Sequence, residues 1–243
     1  MHFVKFGILY LIPVTLGDLD ITALLSKSLP PEVIAITQKL EHFVVETEKP
    51  ARQFLSAIKT SRPVRELSFN LLNEHTQDKD LQELLAPLLA GQDLGLMSDA
   101  GCPGIADPGA KLVELAHKKG IRVVPFVGPS SILLSLMASG LNGQHFAFLG
   151  YLPVDKTTRI AKLKEIEKRS LTNKETQIFI ETPYRNQQIL EAILSTCNTN
   201  TRLCIACHVS LEDEMIVTKR ISEWKQSELP NLNKKPTVFL LLA

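Results

Sequence analysis

The densest concentration of special residues in this chain runs from Gly95 to Gly109, Gly-Leu-Met-Ser-Asp-Ala-Gly-Cys-Pro-Gly-Ile-Ala-Asp-Pro-Gly. Gly101, Pro103, Gly104, Pro108 and Gly109 follow a short apolar run and precede a helical pattern, which predicts a loop whose backbone approaches a ligand closely. In open α/β sheets, ligands bind beyond the carboxyl ends of strands. A structural turn capped by Asp99 or Asp107 accounts for the same residues. A second loop of this kind, Val124-Pro-Phe-Val-Gly-Pro-Ser-Ser131, again follows a strand-like run and opens a helix. Ser130 and Ser131 suit either N-capping or hydroxyl contacts to a ligand.

Other constellations point nowhere. Cys204-Ile-Ala-Cys207-His208 matches the c-type haem attachment pattern. It lies inside the strand-like run Leu203 to Val209, where positions three apart face opposite sides of a sheet, so a metal or porphyrin role is not expected. The glycine-rich phosphate motifs of nucleotide-binding folds are absent, as are the ligand spacings of zinc hydrolases and deaminases. Gly128-Pro-Ser-Ser-Ile132 lacks the second glycine of a nucleophile elbow. No metal site is expected.

Elements able to position such loops are legible along the chain. Apolar, β-branched runs predict strands at Ile8–Val14, Val33–Thr37, Phe43–Glu46, Asp93–Ser98, Arg122–Val127, Phe146–Tyr151, Gln177–Glu181, Arg202–Val209 and Thr237–Leu242. Helical patterns alternate with them. Gly109 to Lys119 ends at Gly120, Ser130 to Ser139 is apolar nearly all round and reads as a buried helix, and Asp155 to Arg169 turns Ile160, Leu163 and Ile166 inward. This is an α/β pattern. A boundary after Val127 separates an N-terminal α/β domain, 1–127, from a C-terminal α/β domain, 128–243, whose more extended segments predict a mixed sheet.

Composition narrows the classes further. The 243 residues are 44% hydrophobic, enough for two real cores, and 27 basic against 26 acidic side chains give a formal charge of +1. Nucleic-acid affinity therefore has to come from a local patch. One candidate is residues 151–175, with seven Lys/Arg against four Asp/Glu; Lys156, Arg159, Lys162, Lys164, Lys168 and Arg169 string along its helix, although a solvated face has the same composition. Aromatics at 6% argue against a platform that stacks many bases. Four cysteines in apolar surroundings point to a reduced, cytoplasmic setting. Phe6 to Leu16 imitates a signal peptide, but Pro13 interrupts it and it is too short for a bilayer, so it reads as a buried first strand and no membrane association is expected.

The segments SDAGCPGIADPG and VVPFVGPSSILLSLMASGL, at this spacing, resemble the tetrapyrrole methylase family of S-adenosylmethionine-dependent methyltransferases. Within it, the chain is most similar to the branch that methylates a cytidine ribose 2′-hydroxyl of small-subunit ribosomal RNA. Further stretches carry the likeness: Leu9 to Asp20, Leu72 to Thr76, Phe146 to Pro153, Ile178 to Arg185 and Pro236 to Leu242. Departures exist as well. Pro13-Val-Thr-Leu-Gly-Asp18 replaces that branch's P-I-G-N-L-G-D, Val45-Glu-Thr-Glu48 lacks the arginine of E-D-T-R, and the chain stops at Ala243 without a helical extension, as expected of a shorter subfamily whose acceptor differs.

The resemblance implies two α/β domains of the tetrapyrrole methylase type, S-adenosylmethionine in the interdomain cleft, and a homodimer. By motif match the cofactor is expected at Pro13, Asp99, Ala100, Gly101, Ile105, Ala106, Ser130, Ser131, Ile180, Thr182, Pro236 and Thr237. Methyl transfer from a sulfonium needs alignment and no metal, but a ribose hydroxyl must also lose its proton. The candidates are Glu181, Asp99, Glu74, His75, Tyr184 and Arg185, with Glu181 first because it ends a predicted strand beside Tyr184 and Arg185. Its alternative role is a carboxylate paired with Arg185 that fixes the loop. Three functions fit: a methyltransferase acting on ribosomal or related RNA, one acting on a tetrapyrrole or other small molecule, and a noncatalytic S-adenosylmethionine-binding protein.

Overall fold

The computed structural model describes residues 5–17, 21–73, 76–77 and 79–243. The chain divides into two compact units, residues 1–130 and 131–243. The first contains β1 (Ile8–Ile12), α1 (Ile21–Ser28), α2 (Pro31–Thr37), β2 (His42–Val45), α3 (Glu48–Ala57), β3 (Ser68–Leu71), α4 (Leu81–Leu84), α5 (Ala86–Leu89), β4 (Leu94–Met97), α6 (Ala110–Lys118) and β5 (Arg122–Pro125). Its strands pair in the order β3-β2-β4-β1-β5, all parallel. Parallel sheets are covered on both faces, and two apolar clusters do this: Phe43, Phe54 and Leu55 belong to one, Leu88, Leu94 and Leu112 to the other.

The second unit holds α7 (Ser131–Ser139), β6 (Phe146–Tyr151), α8 (Lys156–Asn173), β7 (Thr176–Ile180), α9 (Asn186–Thr196), β8 (Arg202–Cys207), β9 (Met215–Arg220), α10 (Ile221–Gln226) and β10 (Thr237–Leu242). Its sheet is mixed, in the order β6-β7-β10-β8-β9. The last strand is inserted at the centre, antiparallel to both neighbours, and every residue of it is buried. Phe179 and Phe239 stack across the β7–β10 pair with centroids 5.8 Å apart, inside a cluster that α8, α9 and α10 complete through Leu163, Leu190 and Trp224. α7 packs on the opposite face, tied by the Thr218 hydroxyl donating to the Ser139 carbonyl at 2.7 Å.

Four sequence expectations change. Val33–Thr37 is helix α2, not a strand: Pro31 occupies its first turn, where no N–H donor is missed, and the buried Val33 and Thr37 lie four apart on one face. Strands β3 and β9 went unpredicted because both are edges of their sheets with no fully buried residue, so polar residues such as Ser68, Asn70, Lys219 and Arg220 break the apolar signature. The α7 helix is buried on one side only, through Ile132, Ser135, Leu136 and Ser139, while Met137 is 79% exposed. On α8, Arg159 is buried to 7% exposure with a guanidinium N–H donating to the Val154 carbonyl at 2.9 Å, and Ile160 is only partly covered. Asp155 caps the helix, accepting from Thr158 N at 2.8 Å, and the bond to the Val154 carbonyl just before it folds Arg159 back over the helix start.

Phe239→Ala would empty the centre of the second unit's core. Such truncations cost about 3–5 kcal/mol, and the chain's single tryptophan, Trp224, is buried in the same cluster and reports the loss in a urea titration followed by fluorescence.

Candidate functional site

Because β1, β4 and β5 run parallel, their carboxyl ends share one edge of the first sheet. The loops that leave them are tied to one another. Val14 N–H donates to the Gly101 carbonyl at 2.9 Å, joining the loop after β1 to the loop after β4. The Cys102 thiol lies 3.3 Å from the Pro129 carbonyl, and a Cβ on Gly128 would fall 2.2 Å from Pro13 Cγ, so the loop after β5 is packed against both. From the loop after β2, Thr47 N–H donates to Asp99 Oδ1 at 3.1 Å. The structure thus brings together Pro13, Asp99, Ala100 and Gly101, and Ser130 ends the same loop cluster. Ser131 begins α7 in the second unit.

The central loop is unusual in its backbone. Gly101 (φ 74°), Gly104 (φ 79°) and Ala106 (φ 64°) all adopt left-handed conformations. For a non-glycine residue such as Ala106 this conformation costs about 1–2 kcal/mol, and strain of this kind collects at functional loops. Ala106 and Ile105 are exposed, so the strained turn presents an apolar tip, and Asp99 and Ala100 in the same loop are exposed as well. Gly101 itself is buried; a Cβ there would meet Leu16 Cδ2 at 3.3 Å and the Pro129 carbonyl oxygen at 3.5 Å.

Asp107, read from sequence only as a possible cap, is a perturbed group. Its Oδ2 is buried with no hydrogen-bond partner among the described residues, beside a cavity of about 10 Å³ lined by Glu46, Ser98, Gly104 and Gly109. That is room for about one water. Burial pushes its carboxyl up to about 7, helped by the nearby charges of Glu46 and Asp99 and opposed by a hydrogen bond with Ser98. Nothing in the sequence distinguishes this Asp from a solvated cap, since the perturbation comes first from its burial in the folded loop and then from Glu46 on another loop.

In the second unit, β10 runs antiparallel to β7 and β8, so its start lies at the same sheet edge as their ends. Ile180, Glu181, Thr182, Arg185, Pro236 and Thr237 therefore gather there. Lys234 N–H donates to the Pro183 carbonyl at 3.0 Å and Asn186 Nδ2 to the Lys235 carbonyl at 2.6 Å, stitching the two segments. The Glu181 side chain has no solvent exposure; its Oε1 accepts from Arg185 Nη2 and from Thr182 N–H at 2.7 Å. Glu181 Oε2 and Arg185 Nε have no partner among the described residues. This pair holds the loop, while Tyr184 stands exposed. Glu74 and His75 lie outside the described residues.

Cys204 and Cys207 are buried in β8, and burial raises both thiols. Cys207 joins the apolar cluster that includes Phe239, and Cys204 does not, as their opposite orientations require. Among the described residues no group of three or more His, Cys, Asp or Glu is placed to hold a metal, and no helix is long and apolar enough to cross a membrane.

The family model described as Tetrapyrrole (Corrin/Porphyrin) Methylases matches residues 10–225. A protein of Vibrio cholerae called "Ribosomal RNA small subunit methyltransferase I" is 31% identical over 97% of this chain and 76% of its own length. Proteins of the same name from Pasteurella multocida and Xylella fastidiosa are 29% and 32% identical, over 97% and 98% of this chain and 79% and 81% of theirs. Among solved structures, the methyltransferase CobJ superposes with a TM-score of 0.63 at 16% identity, covering 97% of this chain and 94% of its own. The cobalt precorrin-4 methyltransferase CbiF gives 0.60 at 12% identity, with the same coverage. At these identities the structural likeness establishes the fold: two α/β units of this type.

Asp107 carries a pH signature. Its folded-state carboxyl is raised to about 7 from an ordinary 3.8, so between those values the native state binds more protons than the unfolded chain and its stability falls as pH rises. Asp107→Asn removes that dependence. In urea titrations followed by circular dichroism, the variant should gain stability over the wild type at pH 8 and lose that advantage near pH 4.

Proposed function

This chain belongs to the tetrapyrrole (corrin/porphyrin) methylase family and is a methyltransferase, and we propose that it uses S-adenosylmethionine to methylate a ribose 2′-hydroxyl of ribosomal RNA. The observation that carries the acceptor is the likeness, across nearly the whole chain, to three proteins named for ribosomal RNA of the small subunit. A soluble cytoplasmic setting and a homodimer follow the same reading; the exposed Met137 on α7 suits a contact between copies.

The first-unit loops fit the cofactor. A buried glycine at φ 74° whose Cβ would crowd Leu16 and Pro129 lets the three loops pack tightly, and the loop after β4 exposes the Asp99 carboxylate and the apolar Ile105 and Ala106. An adenosine needs an apolar slot and backbone partners, and an amino-acid tail needs polar ones. Pro13, Asp99, Ala100, Gly101, Ile105, Ala106 and Ser130 would supply these, and the motif match adds Ser131, Ile180, Thr182, Pro236 and Thr237 to the expected cofactor residues. When bound, the cofactor supplies a methyl group already activated on a sulfonium. The chain's task is then orientation, worth on the order of 7–11 kcal/mol in well-aligned reactions, and removal of the acceptor's proton. Glu181 and Arg185 act here as loop-positioning residues beneath the acceptor side, since their charges are spent on each other.

Phosphate contacts come from fewer residues than the sequence offers. Arg159 is buried, Lys162 pairs with Glu165 at 2.7 Å and Arg169 with the buried Glu175 at 2.8 Å. Lys156, Lys164 and Lys168 remain exposed on α8. Their field fades within about 8 Å at physiological salt, which suits contact with phosphates over long-range capture.

A tritiated-methyl transfer assay offering small ribosomal subunits, free ribosomal RNA and precorrin-type tetrapyrroles in parallel tests the acceptor; label in the tetrapyrrole alone refutes RNA. Gly101→Val should abolish calorimetric S-adenosylmethionine binding while the protein stays folded, because the branched side chain resists φ 74° and fills the loop. Replacing Lys156, Lys164 and Lys168 with Ala should lower the log–log salt slope of RNA binding by about 0.7–0.9 for each phosphate no longer neutralised, with cofactor affinity unchanged.

A further inference from the structure

The C-x-x-C-H run that fails as a metal or haem site leaves His208 unexplained. It is the first residue beyond β8, held in a left-handed conformation (φ 51°) with its N–H donating to the Pro236 carbonyl at 3.0 Å. It therefore sits at the sheet edge where Glu181, Thr182 and Pro236 gather. Its Nδ1 lies 2.7 Å from Asp213 Oδ1, while Asp213 Oδ2 pairs with Lys235 Nζ at 3.2 Å. The imidazole is 16% exposed, and its Nε2 is neither hydrogen-bonded among the described residues nor shut away from solvent.

This arrangement has a chemical consequence. A carboxylate accepting from Nδ1–H fixes the tautomer in which Nε2 carries the lone pair and steadies the imidazolium that forms when Nε2 takes a proton. Lys235 pins that carboxylate from its other oxygen, and the hydrogen bonds from His208 and Lys235 hold the Asp213 carboxyl below its ordinary range, so it stays ionised. The remaining groups around the ring complete this picture. Glu214 is occupied by Ser210 N–H at 2.6 Å, and burial keeps the Cys207 thiol protonated. Glu181, at the same edge, has no exposed atom with which to meet an acceptor.

We propose that His208 is a catalytic residue that receives the proton of the acceptor hydroxyl at Nε2, with Asp213 as its positioning residue, an inference that rests on the methyltransferase reading above. The acceptor oxygen forms its bond to the methyl carbon as the carbon–sulfur bond breaks, and the electron pair of that bond goes to sulfur, which becomes a neutral thioether. The hydroxyl proton passes to Nε2 of His208, whose positive charge Asp213 balances, and is then released to water. A proton already on Nε2 removes the base.

Nitrogen-15 NMR of the histidine-labelled full chain reads the tautomer directly, without cofactor or acceptor. Neutral His208 should carry its proton on Nδ1, bonded to Asp213. In Asp213→Asn the neutral ring should lose its preference for the Nδ1 proton, and kcat should fall while KM and the affinity for S-adenosylmethionine hold. His208→Gln should lower kcat by about 10²–10⁴-fold, leaving KM for the particle and the calorimetric affinity for S-adenosylmethionine unchanged; His208→Asn, with its melting temperature compared, guards against misfolding. Wild-type kcat in a folded His208 variant, a neutral ring protonated on Nε2, or an unchanged tautomer and kcat in Asp213→Asn would overturn the proposal alone. Failure of the wild type to methylate any acceptor would overturn the functional reading and the proposal with it.

Discussion

The hydrogen bond from Val14 N–H to the Gly101 carbonyl at 2.9 Å joins two loops that are far apart in sequence and adjacent only because β1 and β4 pair in parallel. The candidate cofactor residues of the first unit depend on it. With that bond in place, Gly128 must be glycine to pass Pro13, Cys102 comes to rest against Pro129, and the turn through Gly104 and Ala106 is held in conformations it would not choose in isolation. Two apolar clusters on the two faces of the sheet keep the strands in register, so the rigidity of the loops is inherited from the core beneath them.

In the second unit, the corresponding constraint is the insertion of β10 between β7 and β8. A strand from the end of the chain thereby delivers Lys235, Pro236 and Thr237 to the ends of strands formed much earlier. The polar groups that meet there divide into two sets with different consequences. Glu181 and Arg185 are buried and paired, an arrangement that contributes little net stability once desolvation is counted but fixes geometry. Asp213, His208 and Lys235 form a chain that leaves one imidazole nitrogen open to solvent. One set holds a loop in place, and the other retains a group able to accept a proton.

The electrostatics of the whole molecule are muted. A formal charge of +1 offers no global attraction for phosphate, and half of the cationic residues that the α8 sequence displays are engaged within the protein. Under the proposed RNA reading, recognition rests on local contacts and shape, and the likeness to relatives named for ribosomal RNA bears the weight of the acceptor's identity.

The sequence alone determined the α/β class and the paired glycine- and proline-rich loops, because buried parallel strands and left-handed turns restrict which residues can occupy them. It also carried enough local pattern at SDAGCPGIADPG and VVPFVGPSS to indicate the family before any coordinate. Edge strands β3 and β9 escaped it, since half-exposed strands lose their apolar signature, and Val33–Thr37 misled it, since a β-branched run with a proline at its start serves a short helix equally well. Tertiary structure decided the charges. Whether Arg159 faces solvent, whether Asp107 holds its proton, whether Glu181 is free or paired and whether His208 has a carboxylate behind it all depend on groups brought from other loops and strands. Such encounters are set by chain crossings in space, and the residue types along the chain do not record them.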